Sequence, residues 1–145
     1  MKEYYDKTTN LTWNTKEFEP MTWTEAIEFA NTFKKGKWRL PTIQELLTLV
    51  DYTRSEPAID TTIFTNVNSF DYWSASSDAY NSDNAWYTDF HFGYSSNYDK
   101  YASKYVRLVC EGDKNERILY EALPVLLVPL LLLLLIFIIN NYELI

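Results

Sequence analysis

The run Lys37-Trp38-Arg39-Leu40-Pro41-Thr42-Ile43-Gln44-Glu45-Leu46-Leu47 places a strand end, a stop and a capped helix in one stretch. In an extended backbone Trp38 and Leu40 share one side and Arg39 takes the other. Pro41 biases Leu40 away from helical geometry. Thr42 and Glu45 then have the spacing of a capping box, in which each side chain satisfies a backbone N–H that the helix leaves open. The helix that follows is expected to bury Ile43, Leu46, Leu47 and Val50 and to end near Asp51.

A second box, Thr22 with Glu25, opens an earlier helix expected to run to about Lys35. Its apolar face is Trp23, Ala26, Ile27, Ala30 and Phe33, and Gly36 ends it. Before it, Glu3 to Trp13 reads as a short hairpin around Thr8-Thr9-Asn10. Tyr52 to Asn68 reads as a long ordered loop around Pro57 and Phe64, and Asp71 to Ser76 as a strand. Ala85 to Phe92 alternates, which assigns Trp86, Thr88, Phe90 and Phe92 to one face and Tyr87, Asp89 and His91 to the other. Tyr105 to Cys110 alternates too, with Val106, Leu108 and Cys110 inward. These last two segments are expected to pair across a loop, Gly93 to Lys104. Helices first and strands after give an α+β order rather than repeated βαβ units.

Several pieces of this pattern resemble the Lcl C-terminal domain family, named for the end of a collagen-like bacterial adhesin. They are Asp6 with Thr9-Asn10-Leu11-Thr12-Trp13, the helix bearing Trp23, Ala26 and Ala30, and the Trp38 to Leu47 motif. Pro57-Ala58-Ile59-Asp60 with Phe64, Tyr72-Trp73-Ser74-Ala75-Ser76, Ala85-Trp86 and Tyr105-Val106-Arg107 continue the likeness. The resemblance implies a C-type-lectin-like α+β domain with two helices and a small, mainly antiparallel twisted sheet. The same architecture is implied for formylglycine-generating enzymes. It also implies a surface or secreted binding module rather than a catalyst.

Composition narrows the functions. The net charge of -7 works against nucleic acid or another polyanion as partner. Cys110 is the only cysteine, so no intrachain disulfide can form, and formylglycine-generating chemistry would need reactive cysteines. Its place at the end of an apolar strand reads as a small core residue. His91 is the sole histidine, which excludes a multi-histidine zinc centre and leaves little for a Ser-His-Asp triad. No spacing among the carboxylates selects a catalytic pair. Arg39 and Arg107 lie within apolar strands, and Asp51, Asp60 or Glu45 are the candidate partners that burial would demand. Tyr72, Trp73 and Trp86 read as core aromatics.

Two tyrosine- and asparagine-rich segments are the candidate contact surface. One holds Tyr80, Asn81, Asp83 and Asn84. The other holds Tyr94, Asn97, Tyr98, Asp99 and Tyr101, a composition typical of adaptable recognition loops. A solvated loop whose tyrosines cover the sheet is the simpler reading of the second. Asp78, Asn81, Asp83 and Asn84 are candidate calcium ligands, although the EF-hand glycine and later glutamate are missing. Glu56-Pro57-Ala58 resembles the Glu-Pro-Asn signature of sugar-binding C-type lectins, with Ala58 in place of the amide ligand. No Trp-Asn-Asp partner motif is present.

Residues 1–112 form the expected domain, 113–121 a linker, 122–139 a candidate transmembrane helix and 140–145 a short tail. Ala122 to Ile139 holds no charged residue, and its length as a helix would be about 27 Å, near the thickness of a bilayer core. A segment buried against a partner protein, or a tail from an altered reading frame, would share this composition. Lys114 and Arg117 precede the span and no Lys or Arg follows it, which places the domain on the cytoplasmic side. Met1 to Asn10 lacks the apolar stretch of a secretory signal. The family resemblance points outside the cell instead. The expected function is a non-catalytic, membrane-anchored module for a glycan or protein ligand. The alternatives are an enzyme related to formylglycine-generating or carbohydrate-modifying proteins, and a structural subunit of a membrane complex.

Overall fold

The computed structural model describes residues 2–33, 38–65, 67–112 and position 132. The chain divides into two units, Met1–Glu111 and Gly112–Ile145. The expected linker, membrane span and tail lie outside the described residues, Leu132 apart. Among the described residues no helix is long and apolar enough to cross a membrane.

The first unit is α+β. A hairpin pairs β1 (Glu3–Asp6) with β2 (Leu11–Asn14), and the turn between them is closed locally. Asp6 accepts hydrogen bonds from the Thr8 and Thr9 hydroxyls, and Asn10 takes the left-handed conformation, φ 57°, which Asn tolerates better than most residues. β3 (Phe18–Met21) leads into α1 (Trp23–Asn31), whose Thr22–Glu25 box is complete. α2 (Ile43–Leu47) is shorter than its apolar spacing predicts, although its Thr42–Glu45 box is also complete. Leu47 and Val50 are only half-buried, while Leu49, beyond the helix, is buried.

The remaining strands are β4 (Asp71–Ser77), β5 (Asn84–Asp89), β6 (Tyr94–Asp99), β7 (Lys104–Val106) and β8 (Val109–Glu111). They form a sheet ordered β1-β2-β8 and another ordered β3-β7-β4-β5-β6. Pairing is antiparallel except between β4 and β7, where Tyr72 meets Tyr105 in parallel.

Three expectations are corrected. Tyr105 to Cys110 is not one strand: Arg107 and Leu108 carry the chain from the large sheet to the small one, so consecutive residues are buried on both sides. Ala85 to Phe92 does not pair with it either. β5 lies between β4 and β6, so half of the expected loop Gly93 to Lys104 is a strand. Trp86, read as a core aromatic, is only half-buried. Ala85 and Tyr87 pack with Trp73 against Ala26 and Ala30 of α1, whereas Trp86 is partly exposed and Phe92 is exposed. Phe90 instead joins Tyr72 in a second core with Leu11, Trp13, Leu46 and Phe64. Two apolar layers therefore cover the large sheet, and a strand buried on both faces shows no usable alternation.

The Trp38 to Leu40 segment bridges β8 by a pair of backbone hydrogen bonds between Arg39 and Val109, both 2.9 Å. Trp38 and Leu40 enter the core while the Arg39 guanidinium turns outward. The long loop is tied to the end of β5 through Glu56 N–H to the His91 carbonyl, 2.9 Å, and Ala58 N–H to the Phe90 carbonyl, 2.6 Å.

Candidate functional site

The connection between β4 and β5 is built from short self-capping turns. The Asp78 carboxylate accepts from Tyr80 N–H at 3.0 Å and the Asn81 side chain from Asp83 N–H at 3.1 Å. Those oxygens therefore serve backbone donors, which explains why such residues collect in this turn. Among the described residues no three His, Cys, Asp or Glu side chains converge as a metal site would require.

The turn is fastened to the far end of β6. Asn84 Nδ2 donates to Asn97 Oδ1 at 2.9 Å, across a register that also pairs Asn84 with Asp99. Lys100 N–H donates to the Asp83 carbonyl at 3.0 Å and its ammonium to the Ser82 carbonyl at 2.6 Å. The same ammonium lies 4.4 Å from the centre of the Trp23 indole. A shallow depression of about 350 Å³ opens there, lined by Thr22, Thr24, Ser82, Asp83, Lys100 and Tyr101. The two candidate segments are thus joined at this end. Tyr94 is not: it sits at the other end of β6, opposite Asp89.

β6 is an outer strand of the large sheet. Its register with β5 sets Tyr94, Ser96 and Tyr98 beside Asp89, Tyr87 and Ala85. Tyr94 and Tyr98 remain 48% and 56% exposed, Tyr101 87% and Tyr80 99%. These four tyrosines bring large apolar area and a hydroxyl to solvent at low entropic cost.

The sequence reading missed a second group on the same sheet. Lys104, buried at the start of β7, is held by Asp71 Oδ2 at 2.5 Å. Its ammonium lies 3.8 Å from the Tyr87 ring centre, 5.0 Å from Tyr98 and 5.2 Å from Trp73, a cation–π arrangement. Beside it is an open basin of about 540 Å³, whose lining includes Phe70, Asp71, Asp89, His91 and Tyr105. Phe70 is 59% exposed and stacked on Tyr105 at 5.9 Å with rings 10° from parallel. His91 Nδ1 meets the Ser69 hydroxyl at 2.9 Å. Burial first, then the Asp71 charge, raises the Tyr87 phenol above its ordinary value. Tyr94 is raised by burial, by Tyr87, and then by Asp89 and Asp71. The visible clue to this group was Lys104, a cation at the head of an apolar strand.

Both arginines are structural. Arg39 has the expected partner Glu45, but Asp51 and Asp60 bind Arg54, at 2.8 and 3.5 Å. Arg107 has none of the three expected partners. It is fully buried over the Phe64 ring, 4.6 Å from its centre, donates to the Asn14 and Thr15 carbonyls at 3.2 Å, and has Glu17 at 4.0 Å. Burial pushes its guanidinium below the ordinary value, against the pull of Tyr72 and Glu17. Cys110 is buried in the core on β8.

A family model of the Lcl C-terminal domain matches residues 2–110. The chain belongs to the Lcl C-terminal domain family. No curated protein matches it. The family match spans β1 through β7 and the first residues of β8, so the tyrosine edge, the basin and both arginines all lie within the Lcl C-terminal domain.

Proposed function

We propose that this Lcl C-terminal domain is a non-catalytic binding module of C-type-lectin-like architecture that recognises a glycan or protein surface. Its contact surface is the outer strand β6 with the turns at its end: Tyr94, Asn97, Tyr98 and Tyr101, with Tyr80, Asn81, Asp83 and Asn84. The carrying observation is that Tyr80, Tyr94, Tyr98 and Tyr101 are all about half exposed or more, whereas Tyr72, Trp73 and Tyr87 of the same sheet are buried. Exposed tyrosines on a hydrogen-bonded strand form a preorganised surface, which lowers the entropy lost on binding. Calcium, if used, would add Asp78 to Asn81, Asp83 and Asn84 at the turn. The uncharged run 122–139 would hold the module at a membrane.

Glycan-array binding of the full chain, with and without calcium, tests the reading. Tyr98→Ala and Tyr101→Ala should each abolish most of the signal without unfolding the domain; unchanged binding in both would remove this surface from consideration. Carbonate extraction of membranes tests the anchor, which predicts retention in the pellet.

A further inference from the structure

The basin beside Lys104 is a charge arrangement left incomplete. Asp71 and Asp89 are register partners across β4 and β5, and like charges placed directly opposite each other destabilise a sheet. Lys104 pairs with Asp71 alone. Asp89 is 6% exposed, and its carboxylate accepts from the His91 N–H at 2.6 Å; among the described residues no cation pairs with it. A carboxylate removed from water without a counter-charge is costly, and this one lines an open cavity beside the exposed Phe70–Tyr105 ring stack. Lys104 displays the preferred solution in the lining of the same basin: an ammonium held by one carboxylate and several aromatic faces.

We propose that the basin is a binding site for a protonated primary amine, which pairs with Asp89 while the rest of the ligand rests on Phe70 and Tyr105. This site adjoins the tyrosine surface at Tyr94, has its own lining, and goes beyond the reading above. An amino sugar and a lysine side chain share the required chemistry.

The test is an NMR titration of the full chain with glucosamine and with acetyl-Gly-Lys-Gly-amide, each set against its N-acetylated counterpart. Saturable shifts of basin resonances are expected with at least one free amine, and at least tenfold weaker binding when that amine is acetylated. Which of the two amines binds identifies the source. Asp89→Asn, which keeps an oxygen for the His91 N–H, should weaken binding at least tenfold; Phe70→Ala, at an exposed position, should weaken it several-fold. Tyr101→Ala should leave it unchanged, which separates failure here from failure of the tyrosine surface. Equal binding of amine and acetylated amine, absence of saturable shifts at millimolar ligand, or full affinity in both Asp89→Asn and Phe70→Ala would overturn the proposal.

Discussion

Arg39 and Glu45 form a two-pronged ion pair, Nη1 to Oε2 and Nη2 to Oε1, both at 2.7 Å. The same carboxylate accepts the Thr42 N–H at 2.7 Å, so one side chain both caps α2 and fastens it to the strand before it. Arg39 reaches on to Glu111 at 2.9 Å, tying the motif to β8. Glu45→Ala should therefore cost about 1–2 kcal/mol, combining cap loss with a partly exposed pair. A double-mutant cycle with Arg39→Ala, read by urea denaturation, should return a coupling of about 0.5–1 kcal/mol. Strict additivity would show that the pair contributes nothing.

Acid should weaken the domain through the same residue. Hydrogen bonding to Arg39 holds the Glu45 carboxyl below its ordinary value. Hydrogen bonds from Thr53 and Thr62 do the same for Asp51 and Asp60. A group whose folded pKa is depressed stabilises the fold above its unfolded pKa, about 4 for these carboxyls, and loses that contribution as pH falls through the folded value. Thermal melts should thus decline below about pH 4. Glu45→Gln should flatten that decline, and a slope identical to the parent would contradict it.

Arg107 is a buried charge with Glu17 as its only nearby carboxylate among the described residues. Glu17 is also engaged by Tyr72 Oη and by Asn68, whose N–H lies at 3.0 Å. Arg107→Ala should cost about 3 kcal/mol or more, because it removes packing against Phe64 and the hydrogen bonds donated to the Asn14 and Thr15 carbonyls. Arg107→Met should be milder, since an apolar side chain of similar length refills the volume. Guanidinium denaturation midpoints give the order, and equal losses would mean that packing plays no part.

Gly93 closes the β5–β6 turn with φ +80°, and a Cβ there would lie 2.9 Å from Val50 Cγ1 and 3.2 Å from Ala58 Cβ. Gly93→Ala combines left-handed strain with a clash and should cost about 2 kcal/mol. For a domain of this size that lowers Tm by about 10 °C. A melt unchanged within a degree or two would show that the turn can relax.

Local chemistry was readable before any fold was known. Thr22 with Glu25 and Thr42 with Glu45 cap their helices because the bonding groups are three positions apart. Thr8-Thr9-Asn10 turns because Asp6 binds its own neighbours. Trp38, Leu40, Tyr72 and Trp73 were recognisable as core from size and pattern. Long-range pairing was not. β6, with the sequence Tyr-Ser-Ser-Asn-Tyr-Asp, carries too little apolar area to announce a strand, and its backbone ladder to β5 is indifferent to that composition. The split of Tyr105 to Cys110 into β7 and β8 depends on two sheets meeting at Arg107 and Leu108. The partnership of Arg107 with Glu17, and the meeting of Asp71, Asp89 and Lys104 at one basin, join residues far apart along the chain. Sequence alone determined the caps, the hairpin turn, the α+β order and the family, because each rests on residues within a few positions or on an ordered motif. Only the tertiary structure decided which strands are neighbours, and therefore which charges and tyrosines share a surface.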